Sequence, residues 1–210
     1  MRVFVPVSFL LGVFLLVGCQ TPSPSPNLET FPESVVHVQR MSGSFVTGWI
    51  LDSTHVVTVV HSLDRDGALG YKAEITFKDG EVVMGKVGWT DPRNDIAIID
   101  VKVPAGYTPP PLYCDAVFPG QRISIVGHPV GMRWTSSFGY VTNVDLPTRG
   151  KWVLLQIPVA GGTSGAPVFD PQGRVVGMAQ QWMHDRGRMT GFVVMLRGSI
   201  LCNLNATRKD

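Results

Sequence analysis

A serine hydroxyl is a weak nucleophile at neutral pH. It becomes an effective one when a base lies within hydrogen-bond reach, a third group orients that base, and N–H donors await the oxyanion. The sequence supplies a candidate for each part. Ser164 lies in Gly161-Gly162-Thr163-Ser164-Gly165-Ala166-Pro167, where glycines on both sides permit a sharp turn that projects the hydroxyl and aims backbone N–H groups at one point. The N–H groups of Gly162 and Ser164 are the expected oxyanion donors. His61 ends the run Val56-Val57-Thr58-Val59-Val60, so a buried strand would deliver it to a barrel rim instead of burying it. Asp95 precedes Ile96-Ala97-Ile98-Ile99. A carboxylate at the start of a buried strand is desolvated beside the imidazole and favours the imidazolium formed during attack. Together the three point to acyl transfer through a covalent serine intermediate.

Positioning these groups falls to short runs rich in Val, Ile and Thr, separated by turn signals, with no long segment of helical apolar period. Strands are expected over Val35 to Gln39, Ser44 to Leu51, Val56 to Val60, Ala73 to Phe77, Val82 to Trp89 and Ile96 to Val101. Lys78-Asp79-Gly80 is a tight hairpin signal. Pro104 to Pro111 contains four prolines, which cannot donate to a ladder and read as a connector. A second set follows over Arg122 to Val126, Trp134 to Val144, Trp152 to Ile157, Pro167 to Phe169, Val175 to Ala179 and Phe192 to Leu196. Six strands, a proline-rich link and six more predict an all-β fold of two packed antiparallel barrels. The one expected helix runs from Arg197 to Asn205.

The chain has 210 residues, of which 16% are charged, with a formal net charge of +2. That is no basic field, so nucleic acid is not an expected partner. Arg2 and the apolar run Val3 to Val17 read as an export signal, too short to span a bilayer, which takes about 20 apolar residues. Leu16-Val17-Gly18-Cys19 resembles the lipobox of bacterial lipoproteins, which implies cleavage before Cys19, a lipid on its thiol and attachment to a membrane. Pro22, Pro24, Pro26 and Pro32 among Ser and Thr then form an extended tether. Gln20 lacks the Asp that this class of signals often uses for inner-membrane retention, which favours the outer membrane where the host has two. The expected divisions are 1–18 signal, 19–33 lipidated cysteine and tether, 34–103 first barrel, 104–120 linker, 121–196 second barrel, and 197–210 helix and tail. With Cys19 set aside, Cys114 and Cys202 remain, compatible with one disulfide and equally with two buried thiols. His37, His55, His128 and His184 show no spacing that gathers metal ligands. No metal or organic cofactor is expected. His128, in a Gly-His-Pro turn, reads as a satisfied turn histidine.

Several segments in order resemble the trypsin-like serine endopeptidases, and among them the bacterial HtrA or Deg-type protease domain. Gly48-Trp49-Ile50-Leu51, then Val57-Thr58 and His61, look like the segment leading to the family's base. Asn94-Asp95-Ile96-Ala97-Ile98-Ile99 looks like its Asp motif, and Gly127-His128-Pro129-Val130-Gly131 with Gly139-Tyr140-Val141 like the opening of its second barrel. The Ser164 segment, Gly173-Arg174-Val175-Val176-Gly177-Met178 and Gly191-Phe192-Val193-Val194 complete the order. The resemblance covers roughly residues 34 to 203.

It implies an endopeptidase that cuts extended polypeptide through an acyl-enzyme at Ser164. The implied primary specificity pocket is lined by Pro158, Val159, Gln180, Gln181, Trp182 and Gly191, none of them charged. That argues against Lys or Arg at the cleaved position, because a buried cation would lack a partner. A small or medium apolar residue is expected there. The resemblance also implies a Cys114 to Cys202 bridge, and no segment resembling a PDZ module follows Asn205. Three positions depart from the pattern. Thr163 replaces the acidic residue that in trypsin pairs with a newly cut N-terminus, Val60 stands where a small residue usually precedes the base, and Ala166 stands where a second glycine is frequent. Val60 and Ala166 bear on the His-to-Ser distance, where a 1 Å shift costs about 100-fold in rate. They keep a second reading open, a catalytically silent fold that binds a protein partner. A third reading keeps the chemistry for small esters or one protein substrate. The oligomeric state is not encoded legibly.

Overall fold

Residues 31–63, 69–147, 151–185 and 188–204 are described by the computed structural model. They hold twelve strands. The first six are β1 (Val35–Arg40), β2 (Phe45–Asp52), β3 (His55–Thr58), β4 (Lys72–Thr76), β5 (Val82–Asp91) and β6 (Ile96–Asp100). The second six are β7 (Arg122–Gly127), β8 (Thr135–Asn143), β9 (Trp152–Gln156), β10 (Pro167–Phe169), β11 (Val175–Asp185) and β12 (Arg188–Arg197), followed by the short helix α1 (Gly198–Cys202). Each set closes on itself, in the neighbour orders β1-β2-β3-β6-β5-β4 and β10-β11-β12-β9-β8-β7. The expected pair of six-stranded antiparallel barrels is the architecture observed.

The runs that carry His61 and Asp95 are apolar at consecutive positions because both faces of their strands are covered. On β6, Ile96 and Ile98 join the apolar layer between the barrels, while Ala97 and Ile99 fill the interior of the first barrel. The same alternation places Val57 and Val59 in the shared layer and Val56 inside. The second barrel contributes Val126, Phe169, Val175, Met178 and Leu196 to that layer, and Leu201 and Leu204 close it. Each such side chain, fully buried, is worth about 1.5–3 kcal/mol, so the layer fixes how the barrels face one another.

Several boundaries differ from expectation for identifiable reasons. β3 ends at Thr58, and Val59 and Val60 leave the ladder to start a turn in which Leu63 N–H donates to Val60 O. β11 and β12 extend to Asp185 and from Arg188, well past their apolar stretches. Register shifts at Ala179/Gln181 and Trp182/His184 carry the ladder on through polar residues. The expected helix from Arg197 to Asn205 is only five residues long, because Arg197 is still extended at φ −65°, ψ 143°. Phe31–Ser34 forms a 3₁₀ turn, so the end of the expected tether is coiled. The signal region 1–18, Cys19 and the tether up to residue 30 lie outside the described residues. Among the described residues no helix is long and apolar enough to cross a membrane.

The connector is pinned at two points. Val175 N–H donates to Pro111 O and Tyr113 N–H to Val175 O, which holds the connector against β11. One residue on, Cys114 is bonded to Cys202 of α1, closing a loop with a sequence separation of 88. By loop length such a bridge contributes up to about 4.5 kcal/mol. Reduction, or Cys202→Ser, is expected to lower the melting temperature by roughly 10 °C. Scanning calorimetry with and without reductant measures this, and superimposable transitions would contradict it.

Candidate active site

Asp95 is set on a turn stapled by the acid before it. Asp91 Oδ1 accepts the N–H groups of Arg93 and Asn94 at 3.0 and 3.3 Å, and Asn94 Nδ2 donates to Asp91 Oδ2. Asp95 itself has φ +56°, a left-handed conformation that Asp tolerates better than most residues. This turns both carboxylate oxygens onto His61. Oδ1 accepts the His61 backbone N–H at 2.8 Å and Oδ2 meets His61 Nδ1 at 2.6 Å. With Asp95 accepting at Nδ1, the proton sits there and Nε2 keeps its lone pair. The side chains are 45% exposed for His61 and 23% for Asp95. The carboxylate is therefore less desolvated than the sequence suggested, and two hydrogen bonds, more than burial, hold it.

Ser164 is placed by a residue that sequence reasoning did not single out. Thr47 of β2 is fully buried and donates its N–H to Ser164 O at 3.0 Å. Its hydroxyl donates to Gly162 O at 2.7 Å and accepts the His128 N–H at 3.2 Å. Its carbonyl accepts the Thr58 hydroxyl at 2.8 Å, three residues before His61. The serine loop is thereby laid against the strand that delivers the base. Gly165 (φ +84°) is obligatory at this contact, since a Cβ would lie 2.2 Å from Thr47 O and 2.6 Å from Thr58 Oγ1. Gly162 (φ +99°) is equally confined, 2.4 Å from His128 O.

The loop's N–H groups divide cleanly. Those of Thr163, Gly165 and Ala166 donate to Ala160 O, Ala179 O and Thr163 O. Those of Gly161, Gly162 and Ser164 have no acceptor among the described residues, which leaves the two expected oxyanion donors unengaged. Among the described residues no hydrogen bond joins the Ser164 hydroxyl to the His61 ring. Such contacts are frequently long without substrate and tighten in the complex. No three His, Cys, Asp or Glu side chains among the described residues are placed to hold a metal.

The trypsin-like peptidase domain family matches residues 46–178. The chain belongs to that family. A probable periplasmic serine endoprotease, DegP-like, of Marinomonas sp. (strain MWYL1) is 30% identical over 158 residues, covering 73% of this chain and 33% of that one. The periplasmic serine endoprotease DegP of Salmonella typhimurium is 24% identical, covering 76% and 34%. The chain thus spans about a third of the length of these relatives. Among solved structures, an inactive form of Rv3671c from M. tuberculosis H37Rv superposes with a TM-score of 0.70 at 19% identity, covering 90% of this chain and 97% of that one. The serine endoprotease from Yersinia pestis gives 0.73 at 14%, covering 85% and 64%. At these identities the superpositions establish the fold.

Of the family's departures, Val60 is half-buried against the core of the first barrel and Ala166 is buried in that of the second. Thr163 is 4% exposed, and its hydroxyl has no partner among the described residues. The specificity positions separate into two groups. Ile157 N–H donates to Gly191 O at 3.3 Å, bringing exposed Pro158 and half-buried Val159 beside Gly191. Gln180, 2% exposed, and exposed Gln181 instead line a cleft with His61 and Asp95, joined there by Arg93, Leu146 and Trp152, which sequence reasoning missed. Gln180 Nε2 also reaches Asn94 O at 3.5 Å, tying the second barrel to the Asp95 turn. Trp182 pairs with Val193 on the β11–β12 hairpin, and its side chain lies outside the described residues.

Behind the serine loop sits a pair of buried imidazoles. His128 is fully buried and His37 is 4% exposed, with ring centroids 5.0 Å apart. His128 Nδ1 accepts the Trp134 N–H at 3.1 Å, and among the described residues His37 Nδ1 has no partner. Burial, then the nearby Arg133, lowers the His37 pKa to about 4. Burial, then His37, lowers that of His128 to about 3. Both rings titrate near 6.5 when unfolded, so below that value the unfolded chain binds more protons than the folded one. Their contribution is therefore complete above pH 6.5 and is lost as pH falls toward 4, at about 1.4 kcal/mol per pH unit per ring. Denaturant unfolding at pH 5 is expected to give a stability about 2–4 kcal/mol below that at pH 7. His128→Gln should roughly halve the slope, and an unchanged slope would contradict the assignment.

Proposed function

We propose that this chain is a serine endopeptidase that acts outside the cytoplasm on extended polypeptide. The observation that carries the reading is the two-point grip of Asp95 on His61, with a serine loop in which the N–H groups of Gly162 and Ser164 have no acceptor among the described residues. Ser164 Oγ attacks the substrate carbonyl carbon as His61 Nε2 takes its proton, and Asp95 stabilises the imidazolium. The developing oxyanion is met by the N–H groups of Gly162 and Ser164. His61 returns the proton to the departing amine nitrogen and then activates the water that hydrolyses the acyl-enzyme. No step needs a metal, so chelators should leave the activity intact.

The location rests on the apolar leader and the Gly18-Cys19 junction, and on relatives named as periplasmic. On this reading Cys19 carries a lipid that attaches the domain to a membrane facing the periplasm, the outer one where the host has two. The uncharged positions Pro158, Val159 and Gly191 favour a small or medium apolar residue at the cut. A second reading, a silent fold that binds a protein partner, draws on the missing Ser164 to His61 bond. Digestion of unfolded casein separates the two. The wild type is expected to release peptides in the presence of chelator, and Ser164→Ala and His61→Ala to lose at least 1,000-fold in rate. Equal rates in wild type and Ser164→Ala would contradict the first reading.

A further inference from the structure

The cleft that His61 and Asp95 share with the second barrel has a composition of its own. Half-buried Leu146, Trp152 and Val194 give it apolar walls, and Arg93 stands at its edge. Arg93 is held at the backbone, where its N–H donates to Asp91 Oδ1. Among the described residues its guanidinium has no ion pair or hydrogen bond. The one carboxylate among the described residues lining the cleft is occupied, because both oxygens of Asp95 are engaged by His61. Among the described residues, the cleft therefore presents a cation without an ion pair beside apolar side chains and the amides of Gln180 and Gln181.

The geometry points to a specificity site for an acidic side chain of the substrate, paired with Arg93, on the acyl side of the cut bond and within four residues of it. This rests on the peptidase reading above and deepens it. His61 must reach the bond being cut, and the cleft shares β9, β11 and β12, through Trp152, Gln180, Gln181 and Val194, with the pocket that takes the residue before that bond, which places it on the acyl side. Side chains of an extended chain alternate between two sides at about 3.3 Å per residue. The residue at the cut enters the pocket near Val159 and Gly191, and an alternate neighbour faces the cleft. A glutamate would lay its methylenes on Leu146, Trp152 and Val194 and bring its carboxylate to the guanidinium, a charge-assisted pairing suited to arginine's planar fork. A lysine there would meet Arg93 with like charge. The competing account is a solvated surface arginine with no part in selection.

The test digests a proteome-derived peptide library with the full-length protein, using Ser164→Ala as the blank, and reads the residues before each cut. Enrichment of Asp and Glu at one of the four preceding positions is expected. At that position, matched Glu and Gln peptides should differ about 5–10-fold in kcat/KM. The ratio should fall toward one in Arg93→Gln and below one in Arg93→Glu, and should shrink as salt is raised. Because it compares two peptides on one enzyme, it is insensitive to partial loss of folded protein. Ser164-dependent cuts without acidic enrichment, or a ratio unchanged in Arg93→Gln, would overturn the Arg93 site and leave the peptidase reading standing. Absence of any Ser164-dependent cut would overturn both.

Discussion

The structure turns on one buried threonine. Thr47 donates from its N–H to Ser164 O, from its hydroxyl to Gly162 O, and accepts the Thr58 hydroxyl at its carbonyl. It is fully buried, so each of these bonds is made away from water, where an unmade one costs about 1–3 kcal/mol. The serine loop belongs to the second barrel and the base to the first. Nothing in either barrel alone would bring them together. Thr47 joins them at one point, and the apolar layer of Trp49, Ile96, Ile98, Phe169 and Met178 holds the barrels around it. The tight contacts of Gly162 and Gly165 follow from this, since neither site has room for a Cβ.

On the other side of the site the constraint is electrostatic. Asp95 occupies a left-handed backbone position, which costs of order 1–2 kcal/mol. The strain is offset by two hydrogen bonds to His61, one to the backbone and one to the ring. The backbone bond locates the residue and the ring bond selects the tautomer, so a single carboxylate sets both the position and the tautomer of the imidazole. The same turn presents Arg93, so the carboxylate that orients His61 and the cation of the cleft lie on one short segment.

The fold was legible because its signals are local. Ile96 to Ile99 and Val56 to Val59 announce strands covered on both faces, and the turn at Lys78-Asp79-Gly80 separates β4 from β5 as its residues suggest. The extension of β11 to Asp185 was not legible, since ladder hydrogen bonds hold Gln181 and His184 in the strand without apolar alternation. The segments of Ser164, His61 and Asp95 stand out by the glycines and apolar runs around them. Thr47 does not, because its hydroxyl partner Gly162 is 115 residues away and nothing around either residue marks the pair. Arg93 and the His37–His128 pair are tertiary features for the same reason. Each is defined by what faces it across the space between elements, not by its neighbours along the chain.

The central claim is that Ser164 is chemically activated by His61 and positioned through Thr47. The most direct test is the rate at which a fluorophosphonate labels the purified protein, with the adduct mapped by mass spectrometry, in wild type, His61→Ala and Thr47→Val. The account predicts a single adduct on Ser164, loss of labelling in His61→Ala, and labelling slowed at least tenfold in folded Thr47→Val. A well-folded wild type that takes no label at Ser164, or labels equally fast without His61, would contradict it.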